Sequence, residues 1–363
     1  MREIIANPHR GSTLTTIPDL PDEPVSTDIA GARALFARCP AAAETPLRDT
    51  PSLAAVCGVA RVTLKDERNR MGLGSFKALG AAYAIAKMAM RKAGGDEDAA
   101  RTALNGITFV CASAGNHGLS VAAGARLFGA NAVIYLAETV PPAFAARLEA
   151  KGATVVREGA DYDASMTAAL KAAHGNGWYL LSDSSWEGYS VPARDVMEGY
   201  LIMAGEVGDA IEAAPTHVFL QAGVGGLAAA CAAAARAIWG SAPIITVVEP
   251  DRAPALLESV RAGKPVHAAG LESNMGRLDC KDPSFLALAG LARDADFFMT
   301  ITDEEADAAV ARVSGHGIET TPSGVAGIAG LLTLTPEARA TLRLDERSRV
   351  LAYVSEGPVD GGA

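Results

Sequence analysis

Lys77 stands in the stretch "GLGSFKALGAA" (72–82), after two glycines, a serine and a phenylalanine and before an alanine-rich run of helical character. A lysine in that place either snorkels to water or does chemistry. Apolar neighbours and the positive end of a helix both disfavour its charged form, so the spacing predicts a depressed pKa. A neutral amine can attack a carbonyl and hold it as a Schiff base. Two glycine-rich turns, "SAGNHG" (113–118) and "AGVGGL" (222–227), each lie where a strand hands over to a helix. Free backbone N–H groups and the helix dipole receive anions at such junctions, and glycine lets the backbone come close. Two turns suggest two anionic groups, such as a phosphate and a carboxylate. A Schiff-base lysine beside a phosphate cradle describes a pyridoxal-phosphate site.

The second turn has rival readings. Gly223, Gly225 and Ala228 satisfy G-x-G-x-x-A, and Glu249 ends the next strand, where a dinucleotide fold places its ribose-binding acid. Tight helix–strand packing also selects Gly and Ala. In the first turn Ser113, Asn116 and His117 surround a helix start. Asn and Ser are common caps, and His117 fits a buried, hydrogen-bonded histidine as well as a site residue.

The elements that must position these residues follow from a repeated alternation. "ITFVCAS" precedes "NHGLSVAAGARLFG", "AVIYLA" precedes "PPAFAARLEAKG", and "HVFLQAG" precedes "GGLAAACAAAARAI". Further on, "PIITVVEP" and "FFMTIT" are followed by "APALLESVRAG" and "DEEADAAVARVSG". Short β-branched runs alternating with helical stretches predict parallel βαβ units, an α/β fold with helices on both sheet faces. Pro141-Pro142 fits a helix start, and Thr302 or Asp303 fits a cap.

The chain has 363 residues, 49% of them hydrophobic, enough for a sizeable core in two domains or one large one. A net charge of -10 argues against nucleic-acid or anionic-membrane partners. Residues 213–235 carry no charge, but Pro215, His217, Gln221 and three glycines divide them, so they read as a buried strand followed by a helix. Five widely spaced cysteines, with no CxxC pair and no HExxH, support neither a disulfide frame nor a metal site and fit a cytoplasmic protein.

In this order, "GLGSFKALGAAYA", "SAGNHGLSVAAGARLFGANAVIYL", "KGATVV", "QAGVGGLAAA" and "VVEP" resemble the fold-type II pyridoxal-phosphate enzymes. That group includes the threonine and serine dehydratases and relatives of the tryptophan synthase β chain. "LKDERNRMGLGSFKALGAAYA", "LSDSSWEGYSVPARDVMEGYLIMAGE" and "SEGPVD" are similar to the diaminopropionate ammonia-lyases. The resemblance runs from about "AETPLRD" to the C-terminus.

It implies that Lys77 holds the cofactor and, once freed, serves as general base at the substrate Cα. Gly223, Val224, Gly225, Gly226 and Leu227 would hold the phosphate, which removes the ribose role from Glu249. Asn116 would meet the ring hydroxyl, and the turn of Ser113, Ala114, Gly115, Asn116 and His117 would receive the substrate carboxylate. Ser355 would face the pyridine nitrogen, with Ser323 the alternative. Asp183 matches a functional aspartate of the lyases and would supply the acid that a departing amine needs. Its other reading is a strand-end or cap residue, since Ser184 and Glu187 fit a capping box. Trp186 and Tyr189 line the pocket or belong to the core, and Lys65, Asp66 and Glu67 read as a charged rim.

The implied architecture is two doubly wound parallel-sheet domains around a cofactor cleft, residues 1–75 plus 189–363 and an inserted 76–188, in a homodimer. The implied reaction is β-elimination of ammonia from 2,3-diaminopropionate or a related β-amino compound, giving a 2-keto acid. A dehydratase for β-hydroxy amino acids is the alternative. An NAD-dependent dehydrogenase and a non-catalytic binding protein stand further off. One departure counts against the diamine: the lyases typically carry Asp where this chain has Ala114, which makes the loop resemble that of the dehydratases and argues against activity on D-isomers.

Overall fold

A computed structural model describes residues 3–113 and 115–358; the position of Ala114 lies outside them. Eleven strands are formed among these residues: β1 (Ile4–Ala6), β2 (Leu47–Asp49), β3 (Arg61–Asp66), β4 (Thr108–Ala112), β5 (Asn131–Leu136), β6 (Thr154–Arg157), β7 (Tyr179–Leu180), β8 (His217–Gln221), β9 (Ile244–Pro250), β10 (Phe297–Ile301) and β11 (Arg349–Val354). They make a seven-stranded sheet in the order β1-β10-β9-β8-β11-β3-β2 and a four-stranded sheet in the order β6-β5-β4-β7. The small sheet is parallel throughout. The large one is parallel from β10 to β3, with β1 and β2 joining its two edges antiparallel. The α/β architecture is the expected one. The two antiparallel edge strands, three residues each, were too short to leave a pattern in the sequence.

Burial accounts for the strand sequences. All five residues of β8 and all but the first of β11 are buried, as parallel strands covered on both faces require. The uncharged tract 213–235 divides into β8 and the helix Gly226–Trp239, as its composition implied. No helix among the described residues is long and apolar enough to cross a membrane. That helix is buried on every side from Gly226 to Ala235 and packs against the helices Val191–Ala210 and Phe285–Asp294. Its alanines leave room for both neighbours. Pro142 opens the helix Pro142–Ala150, and Thr302 with Glu305 forms a capping box on Asp303–Ser314.

Two glycines bring the helix Val191–Ala210 onto the segment that carries Lys77. A Cβ on Gly199 would lie 2.3 Å from the Leu79 carbonyl oxygen, and one on Gly80 would lie 2.7 Å from the Tyr200 ring. Any side chain at either place would force the two elements apart.

Lys65, Asp66 and Glu67 are not a rim. All three are buried. Lys65 Nζ meets Glu206 Oε2 at 2.5 Å, and Arg70 reaches Glu206 and Glu67 at 2.7 Å each. Thr45 Oγ1 donates to Glu67 at 2.6 Å. The sequence offered no partner for these charges because Glu206 lies far along the chain, on the helix Val191–Ala210. The cluster ties that helix to the end of β3, immediately before the Lys77 segment. Removing one member of a buried ionic set leaves the others unpaired, at a cost of roughly 3–5 kcal/mol. Glu206→Gln is therefore expected to lower the stability measured by denaturant unfolding by about that amount. An unchanged midpoint would contradict this account of the cluster.

Candidate active site

The residues singled out in the sequence gather at one edge of the two sheets, beyond the carboxyl ends of parallel strands. Lys77 follows β3, Asn116 follows β4, Asp183 follows β7, Gly223 follows β8 and Ser355 follows β11. Open α/β sheets receive their ligands at this edge, where strand ends leave a crevice and helices begin.

Lys77 lies in a short 3-10 helix, Phe76–Leu79. Its Nζ donates to Asp183 Oδ2 in a tight ion pair. The two side chains keep 21% and 20% exposure, which leaves the pair accessible from the crevice. Lys77 Nζ also stands 5.4 Å from the Phe76 ring centre and 6.0 Å from that of Tyr200. Burial alone would lower the lysine pKa, as the sequence predicted, but the Asp183 carboxylate reverses the sign and holds it well above its ordinary value. The depressed pKa is thus corrected: the helix Gly80–Lys92 begins three residues later, and a full negative charge faces the ammonium. Burial pushes Asp183 up, while Lys77 and then His117 pull it down, to a net position below the usual carboxylate range.

His117 is buried and pairs its Nε2 with the Leu181 carbonyl at 2.8 Å. Burial lowers its pKa, and its Nδ1 has no partner among the described residues. Asn116 and His117 open the helix Asn116–Leu127, whose N-cap Gly115 provides no side chain to cover the first-turn N–H groups. Ser113 Oγ accepts from the Gly115 N–H at 3.3 Å. Ala114, the fifth residue assigned to this turn, lies outside the described residues.

The second turn is a backbone cradle. A Cβ on Gly223 would come within 3.0 Å of Cys280 Sγ and of Leu278 Cα. Gly225 has φ +103, a conformation that favours glycine, and a Cβ there would come within 3.0 Å of Ala287 Cβ. Gly225 caps the helix Gly226–Trp239 without any side-chain bond, leaving its first N–H groups free. The Val224 carbonyl accepts from Ser284 at 3.0 Å, which fixes the turn, and Leu227 is buried behind it. Glu249 takes no part. Fully buried, it accepts the Leu256 and Leu257 amides at 2.8 Å each, and burial pushes its carboxyl up to about 8. A ribose-binding acid needs free oxygens.

Of the two serines considered for the pyridine nitrogen, Ser323 accepts the Arg277 amide on its Oγ at 3.1 Å. Ser355 bonds through its backbone, donating to Gly324 and accepting from Phe76. The capping box of Ser184 and Glu187 does not form. Trp186 and Tyr189 instead pair across a short turn and stack with ring centres 4.3 Å apart, and Tyr189 Oη donates to the Leu180 carbonyl.

Three residues at this edge escaped the sequence reading. Tyr200 carries a fully buried hydroxyl with no partner among the described residues, between the Lys77 segment and Gly226. Glu356 accepts from Asn116 Nδ2 and from Thr321 Oγ1, at 2.5 Å each. Arg277 lies against Gly115 and Glu356. None belongs to a spaced motif, although Tyr200 and Glu356 lie inside the quoted strings "LSDSSWEGYSVPARDVMEGYLIMAGE" and "SEGPVD".

The site fits pyridoxal phosphate on its own features. A lysine is reachable from the crevice, a glycine cradle opens onto free N–H groups, and an orphaned hydroxyl stands between them. The family model of pyridoxal-phosphate dependent enzymes matches residues 39–356. Diaminopropionate ammonia-lyase of Escherichia coli (strain K12) is 31% identical over 87% of this chain and 85% of its own length. The L-serine dehydratase/L-threonine deaminase of Mus musculus is 28% identical over 85% of this chain and 86% of its own. The crystal structure of the Escherichia coli diaminopropionate ammonia-lyase in complex with an aminoacrylate-PLP azomethine reaction intermediate superposes with a TM-score of 0.88, at 28% identity, over 99% of this chain and 94% of the other. With lysine, cradle and fold in agreement, the chain belongs to the pyridoxal-phosphate dependent enzymes, of fold type II, and its cofactor is pyridoxal phosphate.

Proposed function

We propose that this chain is an ammonia-lyase that eliminates ammonia from Cβ of 2,3-diaminopropionate. The observation that carries the reading is the Lys77–Asp183 pair, an amine and a carboxylate side by side in the cofactor crevice of a chain 31% identical to a lyase named for that substrate. Pyridoxal phosphate, when bound, supplies the electron sink that makes the Cα proton removable. Lys77 is the residue assigned to bind it, with Gly223 to Leu227 around the phosphate, Asn116 at the ring hydroxyl and Ser355 at the pyridine nitrogen. The turn residues Ser113, Gly115, Asn116 and His117 are assigned to orient the substrate by its carboxylate.

The freed Lys77 amine takes the Cα proton. Asp183 is loaded before that step: while the Lys77 amine is neutral, burial raises the Asp183 pKa, so that the carboxyl enters the elimination holding the proton for the nitrogen leaving Cβ. The Cβ–N bond breaks with its electron pair on that nitrogen. Hydrolysis of the remaining enamine with one water gives pyruvate and a second ammonia. A dehydratase acting on a β-hydroxy amino acid is the second reading. Ala114 and the similarity to the Mus musculus dehydratase support it. The resemblance also favours a homodimer, and five free cysteines agree with a reducing, cytoplasmic setting.

Stoichiometry separates the two readings. Turnover of L-2,3-diaminopropionate is expected to release two ammonias per pyruvate. Turnover confined to serine or threonine, with one ammonia per keto acid, would replace the diamine reading by the dehydratase. A second expectation concerns the apoprotein. Because Asp183 is what raises the Lys77 pKa, Asp183→Asn leaves burial in control. The pH of half-maximal Lys77 modification by an amine-directed reagent should fall by about one unit or more. A profile unchanged by the substitution would contradict the pairing.

A further inference from the structure

We infer that Arg277 is a substrate-binding residue whose guanidinium ion-pairs the amino-acid carboxylate received by the Gly115–His117 turn. The inference rests on the amino-acid reading of that turn and adds to it a side chain from the opposite wall of the crevice. Arg277 belongs to the loop before the helix Phe285–Asp294. Its backbone is fixed: its N–H donates to the buried Ser323 hydroxyl at 3.1 Å, and the next amide, Leu278, donates to the Met275 carbonyl at 2.7 Å. From that anchor the side chain reaches the N-cap of the helix Asn116–Leu127. Its Nε lies 3.6 Å from the point where a Cβ on Gly115 would stand. The guanidinium therefore faces the same few ångströms of space as the uncapped first-turn N–H groups.

The guanidinium is weakly committed. Among the described residues its side chain makes one ion pair, to Glu356 Oε2 at 3.7 Å, and no hydrogen bond. Charge-assisted contacts of arginine with carboxylate are close to 2.8 Å when fully made. Glu356 already shares its oxygens with other donors, Oε2 with Asn116 Nδ2 and Oε1 with Thr321 Oγ1. Arg277 keeps 35% side-chain exposure. A carboxylate arriving at the turn would present two oxygens to a planar fork with unused donors. It would also arrive near the Glu356 carboxylate, and a cation between two anions relieves their repulsion. Arg277 thus stands where it can bridge Glu356 and the substrate carboxylate.

The test uses the holoenzyme with L-alanine, which has no leaving group at Cβ, and L-alaninamide, which lacks the carboxylate. Binding of each is followed at one pH by the change in visible absorbance of the bound cofactor. Arg277→Met is expected to weaken L-alanine by roughly tenfold or more, the loss of a hydrogen-bonded ion pair, and L-alaninamide by less than about twofold. Arg277→Lys, which keeps the charge without the fork, should recover part of the L-alanine affinity. In turnover the Met variant should raise KM with kcat held. If wild-type enzyme binds both ligands and Arg277→Met weakens both equally or neither, the role of Arg277 is overturned while the amino-acid site stands. If wild-type enzyme responds to neither ligand, the amino-acid reading of the turn fails and the inference falls with it.

Discussion

A lysine ammonium removed from bulk water needs a counter-charge, and the Lys77–Asp183 pair is the constraint on which the crevice depends. The two residues come from different sheets: Lys77 from the segment after β3 of the large sheet, Asp183 from the loop after β7 of the small one. Holding them in contact fixes the distance between the sheet edges. It also couples their protonation, since each pKa is displaced by the other's charge against the pull of burial. An arrangement of this kind changes state when the lysine amine is engaged. Without the lysine charge, burial raises the pKa of the carboxyl that remains.

Around that pair the structure is organised by close backbone approach. Gly80 and Gly199 let the helix Val191–Ala210 rest on the Lys77 segment, while Gly223 and Gly225 shape the anion cradle against Cys280, Leu278 and Ala287. The same helix carries both Tyr200, against the Lys77 segment, and Glu206, the centre of the buried ionic cluster with Lys65 and Arg70. A single helix thus registers Lys77 against the core of the large sheet. Glu356 performs the comparable task on the other wall. Its backbone bridges to Ser75 and its carboxylate accepts from Asn116, so the Lys77 segment and the start of the helix Asn116–Leu127 share one support.

The sequence was legible where chemistry depends on local spacing. Lys77, the two glycine turns and the strand–helix alternation each occupy a short contiguous stretch, and their positions at strand ends follow from it. It was not legible where charge is satisfied across the fold. The pKa of Lys77 was misjudged because its partner lies 106 residues away. Lys65 and Glu67 read as a rim because Glu206, on a distant helix, gave no local sign that they were paired. Motif spacing left Glu249 open as a ribose-binding acid until the resemblance removed that role, and its two accepted amides supply the physical reason. Arg277 lies in no quoted stretch, and Tyr200, inside one, gave no local sign of its place beside Lys77; packing brings both to the site.

Reduction of the holoprotein with borohydride, followed by peptide mapping, tests the central assignment most directly, because it fixes the cofactor to whichever amine holds it. The expected result is a pyridoxyl group on Lys77 and on no other lysine. A label on Lys65, Lys87 or any other amine, or a cofactor retained without a reducible link, would contradict the assignment of Lys77 and the mechanism built on its pairing with Asp183.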